Sequence, residues 1–233
     1  MIDPLPIVCI PGLACSPRLY AEQIPQLWTV GPVTIAQHGR YESVGAIARS
    51  ILALAPDRFA LIGLSMGGYV SFEIMRQAPE RVVKLALLDT TARPDTPEQT
   101  ENRRLQISLA EQTPIVDLAD ALFPRLVHPR RRSDEQLRDI VRIMAEETGA
   151  AGFIRQQTAI MSRPDSRPSL SSIRCPALVL VGDSDELTPP DRAAEMVHGI
   201  SGSRLVTVPE CGHLSTLERP QSVTEALLEL LRT

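Results

Sequence analysis

Residues 59–68 read Phe-Ala-Leu-Ile-Gly-Leu-Ser-Met-Gly-Gly, an apolar run that leads into the pentapeptide Gly-Leu-Ser-Met-Gly and then into a helical pattern. A strand, a sharp turn and a helix form the context in which a G-x-S-x-G motif exposes a reactive serine. The turn holds the serine backbone in an unfavourable conformation, so Gly63 and Gly67 are needed to let neighbouring backbone segments approach it. The Ser65 hydroxyl would then stand beside helix amides that favour negative charge. The motif predicts that Ser65 is a nucleophile.

A neutral serine is a poor nucleophile, so it needs a base, and the base needs an orienting acid. The best candidate for the base is His213, which follows Gly212 in the loop after the last apolar run. The other histidines have structural interpretations: His38 suits a turn after an early strand, His128 lies in the insertion described below, and His198 lies within a helical pattern.

The acid should end a second strand at the same edge of the sheet. The apolar run at residues 177–181 leads to Asp183 and Asp185, and we assign the acid to Asp185. Asp183 lies next to the glycine that ends the strand, where it would bond backbone amides of a turn. Asp89 is a rival, because it also ends a predicted strand at this edge.

Two backbone amides should face the oxygen that becomes charged when serine adds to a carbonyl, forming an oxyanion hole. One is the N–H of Met66, directly after the nucleophile. The second is the N–H of Leu13, in the loop after the first strand, where Gly12 would permit the turn. The Leu13 side chain would then form an apolar wall of the substrate pocket.

Short runs rich in Val, Ile and Leu alternate with amphipathic helical patterns, as expected of βαβ units and a parallel sheet. Each run is nearly all apolar, as strands covered on both faces must be. The predicted strands are Ile7–Ile10, Val33–Ala36, Phe59–Gly63, Val83–Leu88, Ala177–Val181 and Arg204–Val208.

The alternation breaks once, between about residues 92 and 168, where helical patterns replace strands and proline-rich joints flank the segment. One of these helices is predicted to be capped by Ser133, with Gln136 at the capping-box position. We therefore predict a core of residues 1–91 and 169–233 and a helical lid at 92–168. The alternative, that these helices only extend the core, does not explain why the alternation resumes. The predicted pocket residues are Leu13, Leu122, Phe123 and Leu214.

Length and charge exclude several classes of protein. The 233 residues suit one core with an insertion, and 43% hydrophobic with 22% charged residues is ordinary for a globular protein. The net charge of −4 argues against a nucleic-acid partner. The run Arg130–Arg132 is best explained as a solvent-exposed segment at the start of a helix. We expect no membrane partner, because no apolar stretch is long enough to span a bilayer.

The beginning of the chain has an acid at Asp3 and early prolines instead of a secretory signal pattern, which predicts a cytoplasmic protein. The 4 cysteines lack the spacing of a metal site, so no metal is expected. Cys15 and Cys211 lie near the candidate loops and are alternative nucleophiles, but neither sits on a motif that would activate a thiolate.

These features together resemble the α/β-hydrolase superfamily over essentially the whole chain. The matching segments occur in the same order: the Pro11–Leu13 loop, the Gly63–Gly67 turn, the Gly182–Pro189 acid loop and the Gly212–His213 pair. The resemblance implies a doubly wound α/β fold with a mostly parallel sheet of about six strands. The antiparallel hairpin that commonly precedes the first strand has no counterpart, so one edge would be exposed or paired with another subunit. Family members often carry histidine where this chain has Pro11, which removes a side-chain contact and keeps the backbone donor.

The resemblance implies acyl transfer to water. We therefore predict a serine hydrolase that cleaves esters with small to medium apolar acyl or aryl groups through an acyl-enzyme, without a metal or organic cofactor. Its partner would be a small-molecule ester, and the protein a monomer or homodimer. A lactonase or a C–C bond hydrolase would use the same triad, and a receptor for a small apolar ligand is a non-catalytic alternative.

Overall fold

A computed structural model of the chain describes residues 4–232. Within that range six strands form one sheet in the order β2-β1-β3-β4-β5-β6, and every neighbouring pair is parallel. The predicted α/β fold is therefore confirmed. Residues 1–3, part of the segment behind the prediction about secretion, lie outside the described residues. The strands are β1 Ile7–Ile10, β2 Val33–Ile35, β3 Phe59–Leu64, β4 Val82–Leu88, β5 Ala177–Gly182 and β6 Arg204–Val208.

Helices follow the strands and also fill the long segment between β4 and β5. They are α1 Ile24–Leu27, α2 Val44–Leu52, α3 Met66–Gln77, α4 Pro97–Gln112, α5 Ile115–Leu126, α6 Glu135–Met161, α7 Pro190–Gly199, α8 Ser215–Glu218 and α9 Pro220–Arg232. Helix α2 begins as predicted at Ser43, whose side chain accepts a hydrogen bond from Ala46 N. Helix α6 begins one residue later than predicted, because Asp134 and not Ser133 accepts the capping bond, from Leu137 N.

Apolar side chains cover both faces of the sheet. In β1, Ile7 and Cys9 point into the layer that contains α9, whereas Val8 and Ile10 point into the layer that contains α2, α3 and α7. This alternation follows from the two-residue period of a strand. The central strands β3 and β5 are buried along their whole length, which explains their continuous apolar sequence.

The strand order positions the candidate residues. From β1 the chain extends the sheet in one direction with β2 and in the other with β3, and ligands bind at such a switch point beside the carboxyl ends of the strands. The loops after β1, β3, β5 and β6 carry Leu13, Ser65, Asp185 and His213, and all of them leave the same edge because the strands are parallel.

Helices α4, α5 and α6 form the helical segment between β4 and β5, and they pack on one another. Helix α6 is interrupted at Gly149, whose φ of 69° and ψ of 160° are not helical. The interruption divides α6 into two halves that contact different parts of the molecule. Leu105 and Leu109 of α4, two apolar residues of this segment, are exposed to solvent.

Among residues 4–232, no helix combines the length and the apolar character that crossing a bilayer would require.

Candidate active site

Ser65 sits on the sharp turn between β3 and α3. Its φ of 55° and ψ of −112° are unfavourable for a residue with a side chain, and such strain concentrates at functional sites. A Cβ at Gly67 would lie 2.0 Å from the Ile10 carbonyl oxygen, and one at Gly63 would lie 2.4 Å from the Gly67 carbonyl oxygen. Both positions therefore need glycine: Gly67 because the turn packs directly against the end of β1, and Gly63 because the start of α3 packs directly against β3.

A chain of hydrogen bonds joins Ser65, His213 and Asp185. His213 Nε2 lies 2.9 Å from Ser65 Oγ, and His213 Nδ1 lies 2.8 Å from Asp185 Oδ2. On the other carboxylate oxygen, Asp185 Oδ1 accepts bonds from Leu187 N at 2.8 Å and Thr188 N at 3.0 Å. Thr188 Oγ1 donates a further bond of 2.7 Å to Asp185 Oδ2. These donors of its own loop fix the carboxylate, which presents Oδ2 to the histidine ring.

The burial of this group affects both of its ionisable members. Burial opposes ionisation of Asp185, but the charge and hydrogen bond of His213 and the donors of Thr188 outweigh it, so the pKa of Asp185 is lowered. Burial also disfavours the charged form of His213, but the Asp185 carboxylate outweighs it and raises the histidine pKa. The arrangement stabilises an imidazolium next to a carboxylate. A histidine base needs this stabilisation, because it becomes an imidazolium when it takes the serine proton.

The rival acids lie elsewhere. Asp89 Oδ1 accepts a 3.0 Å bond from Gly182 N, and its Oδ2 accepts a bond from the Ser215 hydroxyl. Burial, reinforced by the nearby Asp185 charge, raises the pKa of Asp89 to about 8. Asp183 accepts bonds from the backbone N–H groups of residues 210 and 211, at 2.9 and 3.2 Å. Of the three aspartates, the structure brings Asp185 to the His213 ring.

The loop that carries His213 is held by the helical segment. Glu218 accepts bonds from Gly212 N at 2.9 Å and His128 N at 2.8 Å, so its two oxygens bridge the loop and the residues after α5. His213 N also donates a 3.0 Å bond to Leu126 O at the end of α5. A Cβ at Gly212 would lie 2.5 Å from His128 N, so this glycine is required by the close approach of the two segments.

The backbone N–H groups of Leu13 and Met66 are available beside Ser65. Met66 is the first residue of α3, where N–H groups have no intrahelical partner. Leu13 N forms no hydrogen bond to any other described residue. Gly12 is expected to permit the turn, but its φ is not positive and a Cβ there would meet its neighbours at an ordinary 3.5 Å, so the turn does not require glycine. The unusual backbone conformation of this loop falls on Ala14, with φ of 54°.

Helix α6 reaches the loop that contains Leu13. Gln156 Oε1 accepts a 2.9 Å bond from Ala14 N, and Gln156 Nε2 lies 3.0 Å from His38 Nε2. His38 Nε2 lies 2.9 Å from the Gly12 carbonyl oxygen, and burial lowers the pKa of His38. His38 is therefore a buried structural residue that supports the loop containing Gly12.

Burial disfavours the alternative nucleophiles. It raises the pKa of Cys15 to about 12, and it raises that of Cys211 still further, with the Asp89 charge adding to the effect. A reactive cysteine requires the opposite shift. Across the described part of the chain, no cluster of three or more His, Cys, Asp or Glu side chains is suited to holding a metal ion.

A cavity of about 240 Å³ adjoins Ser65 and His213. Of the predicted pocket residues, those that line it are Leu13, Leu122 and Leu214. Phe123 does not line it: its ring is fully buried in the main core, with the Arg138 guanidinium 4.9 Å from the ring centre. Adjacent helix residues point about 100° apart, and the rotation of α5 directs Leu122 to the cavity and Phe123 to the core.

The three helices line the cavity differently. Helix α4 contributes a polar face with helical spacing: Gln99, Asn102, Arg103 and Gln106. Helices α5 and α6 contribute mainly apolar side chains: Ala119, Leu122, Leu126, Val141, Met144, Ala145, Phe153 and Ile160. The polar wall of α4 was not anticipated from the sequence, which indicated an apolar pocket only.

Three supporting residues also escaped sequence reasoning. Thr188 carries a local signal, because a hydroxyl three residues after an aspartate can bond its carboxylate. Glu218 and Gln156 carry none: Glu218 joins the nearby Gly212 to His128, which lies 90 residues away, and Gln156 bonds Ala14, which lies 142 residues away.

Comparison with known proteins identifies the family of the chain. A sequence profile described as the alpha/beta hydrolase family matches residues 7–226. The malate-bound structure of a thermophilic esterase from Thermogutta terrifontis is 31% identical, with a TM-score of 0.88 over 98% of this chain and 89% of that one.

An enol-lactonase from Burkholderia xenovorans LB400 is 25% identical, with a TM-score of 0.89 over 99% of this chain and 92% of the other. The pimeloyl-[acyl-carrier protein] methyl ester esterase of Nitrosomonas europaea is 26% identical over 213 residues, which are 86% of this chain and 84% of the relative. The chain belongs to the α/β hydrolase family.

Proposed function

We propose that the chain is a serine hydrolase that cleaves carboxylic esters through an acyl-enzyme. The observation that carries the proposal is the hydrogen-bonded chain from Ser65 Oγ to His213 at 2.9 Å and from His213 to Asp185 at 2.8 Å. This is the relation of nucleophile, base and orienting acid that defines a catalytic triad, in the chain order common to α/β hydrolases. Relatives named as esterases support the choice of an ester.

In the first half-reaction, Ser65 Oγ attacks the ester carbonyl carbon while its proton passes to His213 Nε2. The carbonyl oxygen becomes an oxyanion, which the N–H groups of Leu13 and Met66 stabilise. When the tetrahedral intermediate collapses, the bond to the alcohol oxygen breaks, and His213 returns its proton to the leaving alcohol. In the second half-reaction, water gives a proton to His213 and attacks the acyl-enzyme, which releases the acid and restores Ser65.

In this proposal, helices α4–α6 act as the lid of the site. Their side chains line the cavity beside Ser65, and α5 and α6 contact the loops that carry His213 and Leu13. The apolar wall suits the acyl or aryl part of an ester of small to medium size, consistent with the cavity volume of about 240 Å³.

The test combines labelling with turnover. A fluorophosphonate should modify wild-type protein at Ser65 and leave folded Ser65→Ala unmodified, and p-nitrophenyl esters of short acids should be hydrolysed by the wild type only. Failure to label Ser65 in folded protein would favour a non-catalytic receptor. Labelling without ester turnover, together with rapid cleavage of lactones or β-diketones, would replace the ester with one of those substrates.

A further inference from the structure

Two arginines share one carboxylate in the wall of the cavity. Arg103 of α4 donates to Asp95 from Nε at 2.6 Å and from Nη2 at 3.3 Å. Arg163, just after α6, donates to the same carboxylate from Nη1 at 2.7 Å. Both arginines line the cavity beside Ser65. Two distant parts of the chain, residues 95–103 and Arg163, therefore meet in one charged cluster.

The cluster is buried and carries a net positive charge. The side chains are 2% exposed for Asp95, 5% for Arg163 and 18% for Arg103, and a guanidinium stays protonated at any physiological pH. Two positive groups against one negative group leave one uncompensated charge. A buried charge is costly unless it has a partner.

The guanidinium groups retain donors for such a partner. Arg163 uses Nε on the Arg93 carbonyl and Nη1 on Asp95 and Ile160, and its Nη2 has no hydrogen-bond partner among the described residues. Its central carbon lies 4.2 Å from the centre of the Tyr69 ring, which holds the guanidinium in place. Arg103 uses one Nη1 hydrogen on Gln157 at 2.7 Å and keeps a second one.

The other charged residues of the cavity wall do not neutralise the cluster. Glu186 pairs with Arg132 at 2.7 Å, and both side chains are more than 40% exposed. Arg125 is exposed and adds positive charge. A clamp that only anchored Asp95 would need one arginine, so the second arginine and the free Nη donors require another explanation.

We propose that Arg103 and Arg163 form a subsite for a carboxylate, so that the substrate is an ester that also carries a free carboxylate group. This proposal rests on the proposed function and specifies its substrate class. Guanidinium groups bind carboxylates through short, charge-assisted and paired hydrogen bonds, which fix orientation as well as charge. A bound carboxylate would complete the neutralisation of the cluster and place the ester bond relative to Ser65.

The first test uses matched pairs of substrates with wild-type protein. One pair is the mono-p-nitrophenyl ester of adipic acid and its methyl-capped neutral form, which puts the carboxylate on the acyl side. The other pair is 4-carboxyphenyl acetate and its methyl ester, which puts it on the alcohol side. In one pair, we expect kcat/KM for the anion to exceed that for the neutral ester by about 10-fold or more, since a hydrogen bond to a charged group contributes that much.

The second test compares neighbouring variants on α4. Arg103→Gln makes the cluster neutral, and we expect it to lower kcat/KM for the preferred anion by about 10- to 100-fold, mainly through KM, and to lower kcat/KM for the matched neutral ester by a smaller factor. Arg104→Gln is the matched control, because the Arg104 side chain is 64% exposed and forms an ion pair with Glu101 on the surface. Arg103→Lys keeps the positive charge but loses the paired N–H donors of the guanidinium. It should retain part of the preference for the anionic ester.

The outcomes separate the two proposals. If neutral esters are hydrolysed, but neither anion is preferred by the wild type, the subsite is refuted and the esterase stands. The same conclusion follows if Arg103→Gln and Arg104→Gln lower anion turnover equally. If no ester in either pair is hydrolysed and Ser65 is not labelled, the proposed function itself has failed. The comparison of anionic with neutral esters uses wild-type protein. It therefore tests the subsite even if the Arg103→Gln protein does not fold.

Discussion

Replacing Asp185 with asparagine tests how the carboxylate acts on His213. Asp185 Oδ1 accepts two backbone N–H groups, from Leu187 and Thr188. Only an oxygen can occupy that position, so the asparagine carbonyl must take it. The amide nitrogen then faces His213 Nδ1, in place of the oxygen that lies 2.8 Å from it in the wild type.

An amide N–H at this position forces His213 Nδ1 to become an acceptor. The ring proton moves to Nε2, the atom that lies 2.9 Å from Ser65 Oγ, where it blocks removal of the serine proton. In serine proteases the same change of tautomer lowers kcat by about 10⁴-fold, which corresponds to about 5 kcal/mol of transition-state stabilisation. We expect a loss of that order here, with little change in KM.

The measurement is kcat and KM for a neutral p-nitrophenyl ester across a range of pH. In the wild type, activity should be lost as pH falls through the pKa of His213, and the Asp185 carboxylate places that midpoint above the usual histidine value. The control is Asp89→Asn, which replaces a carboxyl with a pKa of about 8, largely neutral at pH 7, and should cost less than about 10-fold. A larger loss in Asp89→Asn than in Asp185→Asn would refute the assignment of the acid.

Four further outcomes follow. Ser65→Ala should lower kcat by about 10⁶-fold while retaining the wild-type circular dichroism spectrum. Gly67→Ala should fail to accumulate as folded protein on expression, because its Cβ would lie 2.0 Å from the Ile10 carbonyl oxygen. The Asp89 carboxyl, with its pKa raised to about 8, holds a proton that the unfolded chain loses near pH 4, so the wild type should lose stability as pH rises between these values. The asparagine does not titrate, so Asp89→Asn lacks this loss. The Tm of the variant relative to that of the wild type should therefore rise from about pH 5 to about pH 8. Gln156→Leu removes the acceptor of Ala14 N and should lower kcat more than it raises KM in ester assays, because the oxyanion loop loses its support.

The sequence predicted the sheet well because each strand is a short apolar run and the order of the motifs is that of the fold. The bonded group of Ser65, His213 and Asp185 could be proposed in advance because each residue follows a strand at the same edge. The choice between Asp185 and Asp89 could not be settled from sequence. Both end adjacent strands, and the orientation of Asp185 depends on two N–H groups of its own loop.

The lid was harder to predict than the sheet because its contacts are distant in sequence. Phe123 and Leu122 are equally apolar, and only the rotation of α5 decides which of them faces the cavity. Arg103 and Arg163 lie in polar stretches without a motif, and their meeting at Asp95 depends on the packing of α4 against α6. A helix pattern reveals which face is apolar, but not which polar residue will be enclosed.

Gln156 bonds the loop of the proposed oxyanion donor from the same helix that supplies part of the cavity wall. Lids are attractive units for exchange between related hydrolases, because they connect to the core through two joints. In this protein an exchange of the proposed lid would bring a new cavity wall and would also remove the hydrogen bond that holds Ala14, the residue next to the proposed oxyanion donor Leu13. A chimaera designed for a new specificity would therefore lose turnover unless residue 156 kept an acceptor for Ala14, which makes the lid and the catalytic loop a single unit for engineering and for evolution.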